Sequence, residues 1–160
     1  MSNFKNGEIK DIIVKDLIKN EDDRGWLIEL FRKDMIEEDI FPAMSYISMT
    51  YPGITRGPHE HLEQTDYFCF LGSIFKLLLW DNRKKSATYN NKMSLDLGEN
   101  NPKTVIIPPG VVHAYKNIGD KPGLVINLPN KLYAGWEKKD KVDEIRYEGK
   151  QDSPFRWIEL

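Results

Sequence analysis

From Ser45 onward the chain is a succession of short apolar runs, SYISMTY, DYFCF, SIFKLLLW, ATYNNKMSLDL, KTVIIP, VHAYKNI and GLVINLP, most of them divided by Gly, Pro, Asn or Asp. Runs of this length at this even spacing leave no room for βαβ units and predict an all-β sandwich or barrel. The first 44 residues are less uniform. IKDIIVKDL at 9–17 alternates roughly and predicts an edge or arm strand, and NEDDRG at 20–25 is turn chemistry. WLIELF at 26–31 predicts a strand buried on both faces, and RKDMIEEDI at 32–40, followed by Pro42, predicts the one short helix.

Composition narrows the function classes. At 160 residues and 18.7 kDa the chain fits one domain, 1–160, with an N-terminal arm over about 1–20 and a tail over about 137–160 packed on the barrel. A formal charge of -2, without a basic stripe, argues against nucleic acid or an anionic membrane as partner. No apolar run approaches a membrane span, and MSNFKNGEIKD lacks the hydrophobic region of a signal peptide. The single Cys69 can form no internal disulfide, which suits a reducing compartment. The expected location is cytoplasmic.

The three histidines, His59, His61 and His113, all fall in two segments, GITRGPHEHLEQTDYFCFLG and PPGVVHAYKN. In a strand, residues two apart share a face, so His59 and His61 can enter one cavity while Glu60 points away; His113 must come from another strand. A lone strand histidine is ordinarily a packing or surface residue. Three in register imply a shared site, either a set of imidazole ligands for Zn, Ni, Fe or Cu or a general base.

The spacing of Gly53, His59, His61, position 65 and Gly72 resembles the first cupin signature, and Pro108, Gly110, His113 and Asn117 resemble the second. Only Thr65, where an acidic ligand should stand, departs from them. The resemblance implies a jelly-roll barrel with the site in its mouth.

A closer resemblance, along most of the chain, is to the dTDP-4-dehydrorhamnose 3,5-epimerase family. It is carried by Asp23, Arg24, Gly25, Trp26 and Glu29 in DDRGWLIELF; by Ser48, Thr50, Gly53, Arg56, Gly57 and His59; by Asp81, Arg83, Ser86, Thr88 and Tyr89 in WDNRKKSATY; by IPPGVVH; and by Tyr133, Ala134 and Glu137. It implies proton abstraction next to the carbonyl of a nucleotide-diphosphate-linked 4-keto-6-deoxysugar, with no cofactor. His59 matches the base and His113 a donor to the sugar. Arg24 and Arg56 match diphosphate clamps, and Glu29, Ser48, Thr50, His61, Asn127 and Glu137 fall among the substrate-binding positions.

The departures bear on the chemistry. The family lysine falls on Thr65, the family tyrosine near Asn127, and His61 replaces the usual Gln. Tyr115 and Tyr67 are the available phenols. The carboxylate partner of the base is expected at Asp152 or Glu148. RGPHEH is closer to the related sugar-nucleotide 3,4-ketoisomerases, whereas the second half is epimerase-like. Two other readings remain: a metal-dependent cupin with His59, His61 and His113 as ligands, and a noncatalytic sugar-binding cupin. Phe68, Cys69, Phe70, Phe75, Leu77 and Leu79 are expected in the core, and a homodimer is expected because an arm strand often joins a partner's sheet in this fold.

Overall fold

The computed structural model describes residues 4–157, in which thirteen strands and three single-turn 3-10 segments appear. The strands are β1 (Lys5–Asn6), β2 (Ile13–Asp16), β3 (Lys19–Asp22), β4 (Gly25–Ile28), β5 (Tyr46–Thr50), β6 (Thr55–Glu60), β7 (Asp66–Leu71), β8 (Ile74–Asp81), β9 (Asn91–Gly98), β10 (Lys103–Ile107), β11 (Val111–Asn117), β12 (Gly123–Asn127) and β13 (Ile145–Arg146). One sheet runs β1-β9-β8-β11-β6-β13, and the facing sheet runs β2-β10-β7-β12-β5. Apart from the parallel β1–β9 edge, all pairings are antiparallel.

Alternation along each strand builds the core between the sheets. Phe68 and Phe70 on β7 meet Phe75, Leu77 and Leu79 on β8, with Val105, Ile107, Val111, Tyr115 and Val125 completing the cluster. Each such side chain contributes about 1.5–3 kcal/mol by leaving water. The outer faces are covered too. Leu78 and Trp80 lie under Phe4, Tyr147 and Phe155, while Tyr67 and Cys69 lie under Leu30, Ile36 and Ile40. The expected core residues are thus buried, although Cys69 packs beneath this outer layer and not between the sheets.

The strands expected after Ser45 are all present. Two expectations for the first 44 residues change. Residues 32–40 form no continuous helix but two 3-10 turns, Lys33–Met35 and Glu38–Ile40, because Ile36 between them is extended (φ -139°, ψ 160°) and neither turn has a side-chain cap. β2 is the expected edge strand and pairs with β10 of its own chain. The apolar run after Arg24 is not buried. Its first part forms half of the hairpin β3–β4, which pairs with no other strand among the described residues and leaves Trp26 52% and Leu27 61% exposed, while Leu30 and Phe31 beyond it are partly covered against Tyr67.

Candidate active site

Strand register brings the histidines together. His113 on β11 is the direct cross-strand partner of His59 on β6, and their ring centroids lie 4.3 Å apart. His61, just past the end of β6, lies 5.5 Å from His59 and 6.1 Å from His113 by the same measure. Glu60 points to the other side, where it accepts hydrogen bonds from Asn82 and Tyr147. Close approach of β6 to β11 depends on Gly57, which has φ +85° and whose missing Cβ would stand 2.6 Å from the His113 carbonyl oxygen.

Asp66, the first residue of β7, supplies the carboxylate that the signature places at Thr65. One step along a strand changes the face, so Asp66 shares the interior face of Phe68 and Phe70. Its Oδ2 is 3.2 Å from Nε2 of both His61 and His113. Its Oδ1 accepts hydrogen bonds from Gln64 at 2.8 Å and Asn127 at 2.7 Å. The nearest ligand atoms of His59, His61, Asp66 and His113 all lie within 4.8 Å of one another, so these four groups could hold a metal ion.

Burial and charge set the protonation states. Burial, reinforced by His113, pushes the His59 imidazole down to about 2, so it is neutral at physiological pH. Burial also acts downward on His61, but Asp66 overrides it and lifts this imidazole above its ordinary range. Burial acts upward on Asp66, and the two imidazoles nevertheless hold its carboxyl well below the usual carboxylate range. The Tyr46 phenol is pushed up to about 12 by burial, and that of Tyr115 rises for the same reason.

A cavity of about 850 Å³ opens over His59 and His61, with Tyr46, Ser48, Arg56, Phe68 and Tyr115 in its wall and residues 129–148 along one side. Ser48 and Tyr115 share a hydrogen bond of 3.3 Å. His113, Asn127 and Thr50 are each about 1% exposed and lie beneath the wall; Asn127 donates to the Tyr46 hydroxyl, and Thr50 accepts from Arg56. The remaining expected residues are not brought here. Arg24 sits at the tip of its hairpin paired with Asp22, its side chain 86% exposed, and Glu29 faces Arg32 on the surface. Glu137 pairs with Lys139, Asp152 is exposed outside the cavity, and the Tyr67 hydroxyl donates to the Leu30 carbonyl on the outer side of its sheet.

The carboxylate facing His59 from the C-terminal segment is Glu144, at 3.9 Å and anchored by Arg146 at 2.8 Å. Glu148 also lines the cavity, and it accepts the Gly57 amide. Asp143 accepts three backbone amides, from Leu62, Glu63 and Gln64, while its carbonyl takes the His61 Nδ1 hydrogen. Glu144 and Asp143 lie within EKKDKVDEIR, a charge run that reads as a solvated face; nothing in its pattern marks them. Tyr46 opens the expected strand SYISMTY, and only three-dimensional register shows that it shares the cavity with Ser48 and Tyr115.

Comparison with known proteins places the chain. Residues 6–143 match the family model of dTDP-4-dehydrorhamnose 3,5-epimerase. "Probable low-salt glycan biosynthesis epimerase Agl13" of Haloferax volcanii is 44% identical over 126 residues, covering 78% of this chain and 81% of that protein. "Spore coat polysaccharide biosynthesis protein SpsL" of Bacillus subtilis is 34% identical over 138 residues, covering 86% and 88%. Among solved structures, a dTDP sugar isomerase from Desulfovibrio desulfuricans shares the fold with a TM-score of 0.79 at 22% identity, over 91% of this chain and 88% of its own. With the family match over most of its length and relatives named as epimerases, the chain belongs to the dTDP-4-dehydrorhamnose 3,5-epimerase family and is a nucleotide-sugar epimerase of that type.

Proposed function

We propose that this enzyme acts on a nucleotide-diphosphate-linked 4-keto-6-deoxysugar in the cytoplasm, in the making of a surface glycan, through a single domain spanning 1–160. The 4-keto group acidifies the protons on the neighbouring carbons, and His59 removes one of them. The observation that carries this reading is the His59 imidazole at the cavity wall with a carboxylate, Glu144, 3.9 Å away to meet the charge it acquires. Tyr46 and Tyr115 keep their phenolic protons at neutral pH and share the cavity, so either can return a proton to the other face. Arg56, Lys131, Lys138, Lys141 and Arg146 line the same cavity and suit a diphosphate. The names of the Haloferax and Bacillus relatives, both glycan or polysaccharide biosynthesis proteins, support the pathway assignment. A Legionella pneumophila epimerase of the same fold (TM-score 0.75, 19% identity, covering 92% of this chain and 78% of its own) is described in complex with dTDP-4-keto-L-rhamnose, which supports the substrate class.

A homodimer completes the reading. The exposed hairpin β3–β4, with Trp26 and Leu27 on it, carries Arg24 outward, away from this chain's own cavity, as an arm offered to the cavity of a second copy of the chain. The test is incorporation of solvent deuterium next to the carbonyl, measured across dTDP-, CDP- and GDP-linked 4-ketosugars. Wild type should exchange with at least one of them, and His59→Asn should lower the rate by about 10²-fold or more. Equal exchange in both proteins would remove His59 as the base.

A further inference from the structure

We propose that Tyr46, and not Tyr115, is the acid that returns a proton to the sugar, and that Asn127 positions its phenol; this rests on the epimerase reading of the same cavity. The first observation is the placement of the strands. His59 stands on β6, whereas Tyr46 stands on β5 of the facing sheet, and both line the cavity. A sugar ring held between the sheets therefore meets the base on one face and the Tyr46 phenol on the other. Tyr115 comes from β11, which is paired with β6 and belongs to the sheet of the base.

The second observation is where each hydroxyl hydrogen can go. The side-chain oxygen of Asn127 accepts the Tyr67 amide at 3.0 Å, which turns the NH2 group towards the site. That group donates to Asp66 Oδ1 at 2.7 Å and to the Tyr46 hydroxyl at 3.0 Å, spending both of its hydrogens. Tyr46 is the acceptor in this contact, so its own hydrogen is left for the cavity. At the other phenol the hydrogen is already committed. Ser48 donates its single hydrogen to the Val125 carbonyl at 3.5 Å, and so it accepts from Tyr115 in their 3.3 Å contact. Access points the same way, with Tyr46 45% exposed and Tyr115 4%.

Register puts Asn127 in place. It is the direct cross-strand partner of Tyr46 on β12 and is about 1% exposed, so its amide is held in one orientation. The resemblance puts the family tyrosine near Asn127, and this assignment moves the phenol one strand over. In the step itself, His59 takes the proton beside the ketone and the C–H electrons pass into the enolate. The Tyr46 O–H bond then breaks and its proton joins the same carbon from the opposite face, inverting it. The Asn127 donor meets the charge that develops on the phenolate oxygen. Water finally takes the proton from His59 and returns one to Tyr46, so nothing else is consumed.

The test runs the full chain in deuterium oxide with the dTDP-, CDP- and GDP-linked 4-keto-6-deoxysugars. NMR reads the deuterium entering beside the carbonyl and the configuration of the carbon that carries it. Wild type should place deuterium in the inverted sugar. Tyr46→Phe, checked for folding by circular dichroism, should lower inversion by about 10²-fold or more. Exchange in that variant needs only His59, so it should fall by less than about 10-fold and appear in sugar of the original configuration. Asn127→Ala should change the ratio of exchange to inversion in the same direction by about 10-fold, a split that a loosened fold would not give. Tyr115→Phe should lower both readings together and hold their ratio within about 3-fold of wild type. Inversion at the wild-type rate in Tyr46→Phe, equal loss of exchange and inversion in it, or a split that appears in Tyr115→Phe instead would each overturn the assignment. Wild type that exchanges with none of the sugars would remove the epimerase reading and this assignment with it, so the two failures are told apart.

Discussion

At the scale of single residues, the sequence showed which side chains are rare and the structure showed what they touch. Three histidines in two spaced motifs were enough to imply one cluster, because period-two alternation and antiparallel pairing leave few ways to separate them. Asp66 was missed by one position. The signature directs attention to Thr65, although Asp66 has the parity of Phe68 and Phe70 and so belongs with the interior face. Asp152 drew attention through its place near the C-terminus, but the groups that reach His59 and His61 are Glu144 and Asp143, in a run of charges without a distinguishing pattern.

Asp81 gives a prediction at the same scale. It is fully buried, and it accepts hydrogen bonds from the Arg83 amide and guanidinium, from Ser86 at 2.7 Å and from Thr88 at 2.6 Å. Burial acts upward on this carboxyl, yet these donors bring it down to about 2 from an ordinary 3.8. A lowered folded-state value means stabilisation that is complete above about pH 4 and disappears as the pH falls towards 2. Asp81→Asn should therefore cost about 2 kcal/mol near neutrality in denaturant titrations, and the gap to wild type should close below about pH 3. Gly57→Ala should cost about 2 kcal/mol or more, seen as a lowered thermal midpoint, because the new Cβ meets the His113 carbonyl at a positive φ.

At the scale of elements, strands that pair inside the barrel were legible and those whose partners lie elsewhere were not. Seven successive β-runs after Ser45 each found a neighbour within the two sheets. WLIELF read as doubly buried because hydrophobicity signals that a residue prefers cover, without saying what provides it. The stretch at 32–40 has helix-forming residues but is too short to hold a helix by itself, and it serves to place Ile36 and Ile40 over Tyr67 and Cys69. Asp143 joins two elements by capping the amides of Leu62, Glu63 and Gln64. Asp143→Ala should speed hydrogen exchange at those three amides by about 10-fold or more while the amides of β7 and β8 stay protected; equal protection throughout would show that the cap is dispensable.

At the scale of the whole molecule, the two sheets and their outer layers bury the core, while the hairpin β3–β4, like the edge strand β5 with Ile47 and Met49, leaves large apolar side chains exposed. Ile18 is 74% exposed beside it, in addition to Trp26 and Leu27. If the proposed homodimer forms through this hairpin, Trp26→Asp combined with Leu27→Asp should shift wild-type dimer to monomer in sedimentation experiments without changing the circular dichroism, since neither side chain supports the barrel. If the doubly substituted chain sediments as wild type does, the hairpin is not the interface.

The cavity draws its walls from two parts of the chain. The barrel strands supply His59, Ser48, Arg56 and Tyr115, whereas Glu144, Arg146 and Glu148 come from a short stretch that begins where the match to the family, residues 6–143, ends. Substitutions confined to Glu144, Arg146 and Glu148 would therefore reshape one flank of the pocket, the charge opposite His59 included, and leave the imidazole cluster and the sheets beneath it as they are.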